Sequence, residues 1–394
     1  MFNKRESKNI RNVDLINMNK ILKSTIILWP VMTLVYLSKG LSFFEIGILN
    51  SIGSLIIFLL EVPSGVIADK FGRKKNLLLG NFLNILFVVI LYFSESFLGL
   101  ILSEVIFSIS SCLISGTDTS LLYDSLQHEK REKEYGTILA KNNSVTLAIS
   151  LFTSIVATML FSKHPIIIFL WTAIIYSVMF FVSVFLSEVK VVQEPKKIDV
   201  KLSNESVLYK TIKKYKIFII LSLFSSVIIL LVSNISVLTS PILIENGMDL
   251  KYTGYVLAGS KVISIILLRN QKVILAHIKK NVFITFTAIL GMSLILLYFI
   301  NSQYYWIYTI CVVASANDFL QPIVSEKINE HIQSKNRTTM LSVTSMFDNI
   351  LFFIGDPIVG FGIDKVGYNR SFGTFGLLLF LIFPVYLKNK KVKT

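Results

Sequence analysis

Twelve long apolar runs set the terms for this chain. They fall at residues 21–38, 44–68, 76–95, 97–124, 136–162, 164–187, 217–242, 252–269, 281–300, 303–325, 338–361 and 371–387. An α-helix crosses roughly 30 Å of hydrocarbon with about 20 residues, at 1.5 Å each. In lipid every backbone N–H and C=O must bond within the protein, and these runs are too long for barrel strands, so they are read as helices. Composition agrees: 53% of the 394 residues are hydrophobic and 16% charged, against about a quarter charged in soluble domains. The expected fold class is an all-α integral membrane protein with twelve transmembrane helices in two six-helix bundles.

The net charge of +15 would suit nucleic acid if it formed a patch. It lies instead in short segments between apolar runs, so no nucleic-acid partner is expected and the bilayer is. An even number of spans puts both termini on one side. With that side inside, 33 lysines and arginines fall in inner segments and five in outer ones. By the positive-inside rule both termini are cytoplasmic and the protein is a multi-pass protein of the cell membrane. The expected division is a leader over 1–20, a first bundle over 21–187, a linker over 188–216, a second bundle over 217–387 and a tail over 388–394. The polar, basic linker reads either as a solvated connector lying partly on the anionic leaflet or as a regulatory, lipid-binding element. The leader shows no small-residue cleavage site, so no removable signal peptide is expected.

Cys112 and Cys311 both lie in apolar runs, and His128, His164, His277 and His331 are scattered. Neither a disulfide framework nor a metal site follows, and no cofactor is expected. The sequence holds no His-Glu-x-x-His motif and no phosphate-binding G-x-x-x-x-G-K-[ST] loop, which argues against an enzyme and against ATP drive.

The halves look related. Gly40-LSFFEI-Gly47 is echoed by Gly247-MDLKYT-Gly254, Cys112 and Asp118 by Cys311 and Asp318, and Ser144-Val145-Thr146 by Ser342-Val343-Thr344. The three echoes keep the same order at similar offsets, as duplication of a six-span unit would leave them.

Between the second and third runs lies EVPSGVIADKFGRKK, residues 61–75. It passes from Glu61 through a Pro-Ser-Gly break into a basic cluster. Gly65-Val-Ile-Ala-Asp69-Lys-Phe-Gly72-Arg73-Lys74 resembles the loop motif between spans two and three of the major facilitator superfamily, with Ile67 for Leu and Lys70 for Arg. With Glu61 and Pro63 in front, the stretch is similar to the variant found in clostridial tetracycline exporters and related carriers. Gly65 and Gly72 suit close helix approach and a tight turn. Asp69 can pair with Arg73 or face a helix N-terminus. The resemblance implies a major facilitator fold and a small-molecule substrate. It also implies one chain acting as a monomer, protons as coupling partner, a bacterial source, and a gating role for Gly65, Asp69, Gly72, Arg73 and Lys74.

Charge inside hydrocarbon costs about 2.5–3.5 kcal/mol per group on insertion scales, so ionisable residues within the runs are functional candidates. They are Glu61, Glu104, Asp118, Asp124, Lys261, Asp318, Asp348 and Asp356. The resemblance places them all on spans 1, 2, 4, 5, 7, 8, 10 and 11, which line the family's central cavity. Asp118 and Asp348 are the expected proton sites, and Glu61 an expected cavity acid. Lys261 could pair with Asp348 or Asp318, as a structural pair or as a substrate contact. Asp124 reads as a gate or helix-end group. Glu104 and Asp356 lie toward the outer ends, where hydration is expected. Asn142, Asn143, Asn234, Asn317 and Asn349 are polar candidates, and Trp29, Tyr36, Tyr123 and Phe347 aromatic ones. Span four lacks the membrane-embedded arginine of typical drug exporters, and span five lacks the Gly-Pro element of the antiporters. The leading functional reading is a proton-coupled exporter of drugs or other small amphipathic compounds. An importer or facilitator of a polar metabolite is the runner-up, and a polytopic enzyme or receptor a distant third.

Overall fold

The computed structural model describes residues 4–188, 216–278, 282–330 and 337–390. Most of the linker, together with His331 and the last four residues of the tail, lies outside that set, so the linker readings cannot be placed on it. The described residues are helical, with no strand among them. The first half contains α1 (Lys4–Ser24), α2 (Met32–Ser38), α3 (Phe43–Phe71), α4 (Arg73–Phe93), α5 (Phe97–Ile114), α6 (Thr117–His128), α7 (Tyr135–Lys163) and α8 (Pro165–Val184). The second contains α9 (Lys216–Val237), α10 (Thr239–Glu245), α11 (Leu250–Arg269), α12 (Gln271–Ile278), α13 (Val282–Ile295), α14 (Gln303–Glu330) and α15 (Arg337–Lys390). Among the described residues eight helices are long and apolar enough to cross a membrane, or nine when the pair α9–α10, bent by 55°, counts as one. The twelve apolar runs fall on the described helices, but not all on those spans: the run 281–300 holds only a shorter apolar helix, Thr285–Tyr298, and the run 303–325, on α14, is not among them. The last two share α15, which is broken at Gly367 (φ 78°, ψ 172°).

Several boundaries differ from the expected ones. The first helix starts at Lys4, well inside the expected leader. Its polar residues hold other helices: Asn12 bonds the carbonyl of Ser187 (2.8 Å), Asn17 the amide of Asn142 (2.7 Å) and Asn19 the hydroxyl of Ser183 (3.1 Å). Hydropathy counts such groups as loop-like, although a satisfied amide sits comfortably between helices. The run 97–124 divides into α5 and α6 where Ser115 (φ −56°, ψ 127°) and Gly116 (φ 73°) leave helical geometry. The Pro-Ser-Gly break expected after Glu61 is not a break, because α3 runs through Pro63 unbroken. Proline is tolerated inside spanning helices, where it frees the carbonyl four residues back, here that of Leu59.

Contacts divide the chain into two units. The first comprises the chain up to Leu41, the stretch from Ile48 through α8, and Leu250–Ala258. The second comprises Ser42–Gly47 and the remainder of the second half. In the first unit α4 packs on both α5 and α8, and α1 on α6, α7 and α8. Near the start of α4, Val13, Ile16, Leu77, Leu121, Leu122, Leu126 and Leu186 form one buried apolar cluster. In the second unit α15 packs on α9 and α13, and α14 on α9, α10 and α13. Fully buried Trp306 anchors that packing and donates its indole N–H to Asn369 (2.8 Å). Gly40 (φ 84°) and Gly247 (φ 90°), the first residues of one sequence echo, share the same left-handed backbone.

Candidate functional site

The segment between α3 and α4 turns at Gly72, whose φ of 101° favours glycine. The turn leaves the first N–H groups of α4 without helical partners. Glu188, just beyond α8, supplies them: its carboxylate accepts from the backbone N–H of Arg73 (2.7 Å) and of Lys74 (2.9 Å). A carboxylate there also meets the positive end of the helix dipole. The Lys74 ammonium bonds the carbonyl of Val184 (2.7 Å), so α4 and the end of α8 are tied twice. The Arg73 guanidinium reaches the other way and pairs with Asp124 on α6. Both side chains are well buried, at 15% and 5% exposed. Leu121, Leu122 and Leu126, all fully buried, shield the acid on its own helix. The Asp124 partnership and the Glu188 cap were invisible to motif reading, because both acids lie far along the chain. The side chain of Asp69 is outside the described residues, so its expected pairing cannot be placed. Gly65, expected at a close helix approach, has no described atom within 4 Å of where a β-carbon would stand.

Two acids expected to be hydrated are buried instead. Glu104 on α5 is 9% exposed, and its carboxyl receives hydrogen bonds from Tyr36 (3.3 Å) and Ser108 (3.4 Å). Asp356 on α15 is 6% exposed and takes the amide of Asn234 (2.8 Å). Position along a span did not foretell exposure, because neighbouring helices cover both groups.

In the second unit Lys261 on α11 pairs with Asp318 on α14 at 3.4 Å, which selects one of its two expected partners. This pair is open, with side chains 37% and 26% exposed. Asp348 on α15 is half-buried, and one of its carboxyl oxygens is buried without a hydrogen-bond partner. Asp118 lies in the first turn of α6, accepts from the N–H of Thr119 (2.7 Å) and stands 4.0 Å from the Lys20 ammonium. Glu61 is half-buried on α3, within electrostatic reach of the Cys112 thiol. Among the described residues the structure thus joins Arg73 with Asp124 and Lys261 with Asp318.

The aromatic and amide candidates mostly serve packing. Trp29 stacks near Phe87 and Phe107, Tyr123 meets Tyr135 edge to face, and Asn349 bonds the carbonyl of Ser345.

Comparison with known proteins fits this architecture. Residues 23–271 match the family model described as Major Facilitator Superfamily. The chain is 25% identical over 366 residues to the uncharacterized MFS-type transporter YxaM of Bacillus subtilis (strain 168), covering 91% of this chain and 90% of that one. Among solved structures, a point mutant of the nucleoside transporter NupG aligns with a TM-score of 0.78 at 12% identity, over 96% of this chain and 99% of that one. A D-xylose-proton symporter aligns with a TM-score of 0.70, also at 12% identity, over 95% and 96%. Likeness at that identity speaks for the fold alone. A helical membrane architecture, a loop motif and a family match over more than half of its length meet in one conclusion: the chain belongs to the major facilitator superfamily of transporters.

Proposed function

We propose that this transporter is a secondary active carrier that works by alternating access, using proton movement to export small amphipathic compounds. One observation carries the reading: ionisable groups sit within the spans, and the open pair Lys261–Asp318 can exchange partners at modest cost. A cation and an acid that are both a quarter or more exposed can each bind a solute or a proton, whereas a sealed pair could not. A membrane potential supplies about 2.3 kcal/mol per charge per 100 mV, enough to drive uphill flux. In this reading the basic loops face the cytoplasm of a bacterium. There the segment of Gly65, Asp69, Gly72, Arg73 and Lys74 gates the inner side, with Asp124 and Glu188 holding Arg73 and the start of α4. Glu61, Asp118, Asp348 and the Lys261–Asp318 pair are the coupling and binding groups. Proton-linked uptake of a polar solute is the second reading; a nucleoside transporter and a D-xylose-proton symporter share this fold.

The test begins with a drug-sensitive bacterial host expressing the chain and a panel of amphipathic compounds. Export raises tolerance to some of them, and Lys261→Met and Asp348→Asn abolish the gain while the protein still reaches the membrane. The compounds so found are then followed in proteoliposomes under an imposed pH gradient. Flux indifferent to a proton uncoupler refutes proton drive, and accumulation inside right-side-out vesicles replaces export with uptake.

A further inference from the structure

Glu104 has no place in the gating segment and none in the open pair, yet its surroundings are specific. Tyr36 on α2 bonds one carboxyl oxygen, and Ser108, one turn along α5, bonds the other. The third wall is Gly53 on α3, where a β-carbon would stand 2.5 Å from Oε1. The carboxyl group therefore occupies room that any larger residue at position 53 would claim.

Its neighbours carry little charge toward it. Tyr36 is the titratable group that faces it. Lys39, at the end of α2, gives its ammonium to the backbone carbonyls of Tyr92 (3.2 Å) and Ser94 (2.7 Å). On α3, Glu45 and Glu61 lie eight residues either side of Gly53, about 12 Å along the axis. On α4 the cations Arg73, Lys74 and Lys75 sit in the first turn, with Arg73 held by Asp124. On α6, Asp118 and Asp124 lie beyond the break at Gly116.

Hydroxyl partners suit a carboxyl group that exists in two states. Ionised, it accepts from both hydroxyls. Protonated, its own O–H donates to a hydroxyl oxygen, because a hydroxyl both donates and accepts. Neither state orphans a buried polar atom. A lysine partner would instead favour the ionised form by its charge. Charge within a span is costly, and one bound proton removes it.

We propose that Glu104, walled by Tyr36, Ser108 and Gly53, is a proton-binding site of the first unit. Release breaks the carboxyl O–H bond, sends the proton to water and leaves a carboxylate held by two donors; binding reverses each step. The use of this site in transport rests on the proton-coupled reading above. Its occupancy does not, and the test reads occupancy with no cargo present.

The full-length protein in lipid vesicles is followed by infrared difference spectroscopy between acid and alkaline pH. The expected result is a carbonyl band of a protonated carboxyl group that appears on acidification and is lost in Glu104→Gln. In Tyr36→Phe, which keeps the ring but not the hydroxyl, the band moves to higher frequency as the carboxyl loses a hydrogen bond. Should Glu104→Gln fail to fold, the shift in Tyr36→Phe carries the test alone. Spectra of the folded variants that superimpose on the wild type overturn the proposal. A Glu104 band beside flux that ignores a pH gradient upholds the site and refutes proton coupling. Coupled flux with no Glu104 band refutes the site and leaves coupling to another acid.

Discussion

Two ion pairs among the described residues use the same chemistry in opposite settings. Arg73–Asp124 in the first unit is sealed among leucines, with its acid 5% exposed, and it joins two helices that a glycine turn and a capping carboxylate already fix. Lys261–Asp318 in the second unit is looser, with a third or so of its lysine exposed. Desolvation decides what each can do. A buried charge without its partner is expensive, so a sealed pair behaves as a clamp. An exposed pair holds its partners weakly and can trade them. The motif marks Arg73 but not its partner, and exposure, which no motif reports, marks the exchangeable site.

The largest expected effect comes from opening the clamp. Arg73→Met removes the guanidinium from an acid only 5% exposed and destabilises the first unit by about 3–5 kcal/mol, read by denaturant unfolding in mixed micelles. Adding Asp124→Leu recovers most of that loss, since two well-packed apolar side chains replace a buried pair at little cost. Failure of the double variant to recover would erase the contrast between the pairs. Lys261→Met is the counterpart: about 1 kcal/mol or less in stability, with transport lost. A stability loss as large as that of Arg73→Met would make the second pair a clamp too. Glu188→Ala removes the cap on α4 while leaving the pair in place, and about 1 kcal/mol is expected.

The smallest effect anchors the exposed end of the scale. In the loop after α6, Arg131 bonds Glu134 through both Nε (2.8 Å) and Nη2 (2.7 Å) and also reaches Glu129 (2.8 Å). Those hydrogen bonds hold the Glu134 carboxyl below its usual range. A lowered carboxylate stabilises the fold above its unfolded value and loses that contribution as pH falls through its folded value. A small melting difference between wild type and Glu134→Gln is therefore expected at neutral pH. It fades on acidification below about pH 4, and a difference that grows instead would reverse the sign.

Apolar runs located the helices because lipid leaves the backbone no other solution, and the two-to-three loop declared itself through Gly72, Arg73 and Lys74. The sequence did not disclose partners set by tertiary packing. Asp124 lies 51 residues from Arg73, and Glu188 lies 115 from the N–H it caps. Local signals mislead in two places: Pro63 reads as a break within the run 44–68, and Asn12, Asn17 and Asn19 read as leader. Glu104 reads as a wetted outer acid because nothing near it in sequence announces Tyr36 or Gly53. Lys261 was narrowed to two acids by span membership, and only geometry chose Asp318.

The elbow at Ser115–Gly116 has a mechanical consequence. A continuous rod passes torque along its whole length, whereas a jointed one lets its two arms turn separately. Glu104 rides one arm and Asp124 the other, so the acid deep in α5 can swap its proton without wrenching the clamp, and the clamp can spring open without prising Tyr36 from its carboxyl.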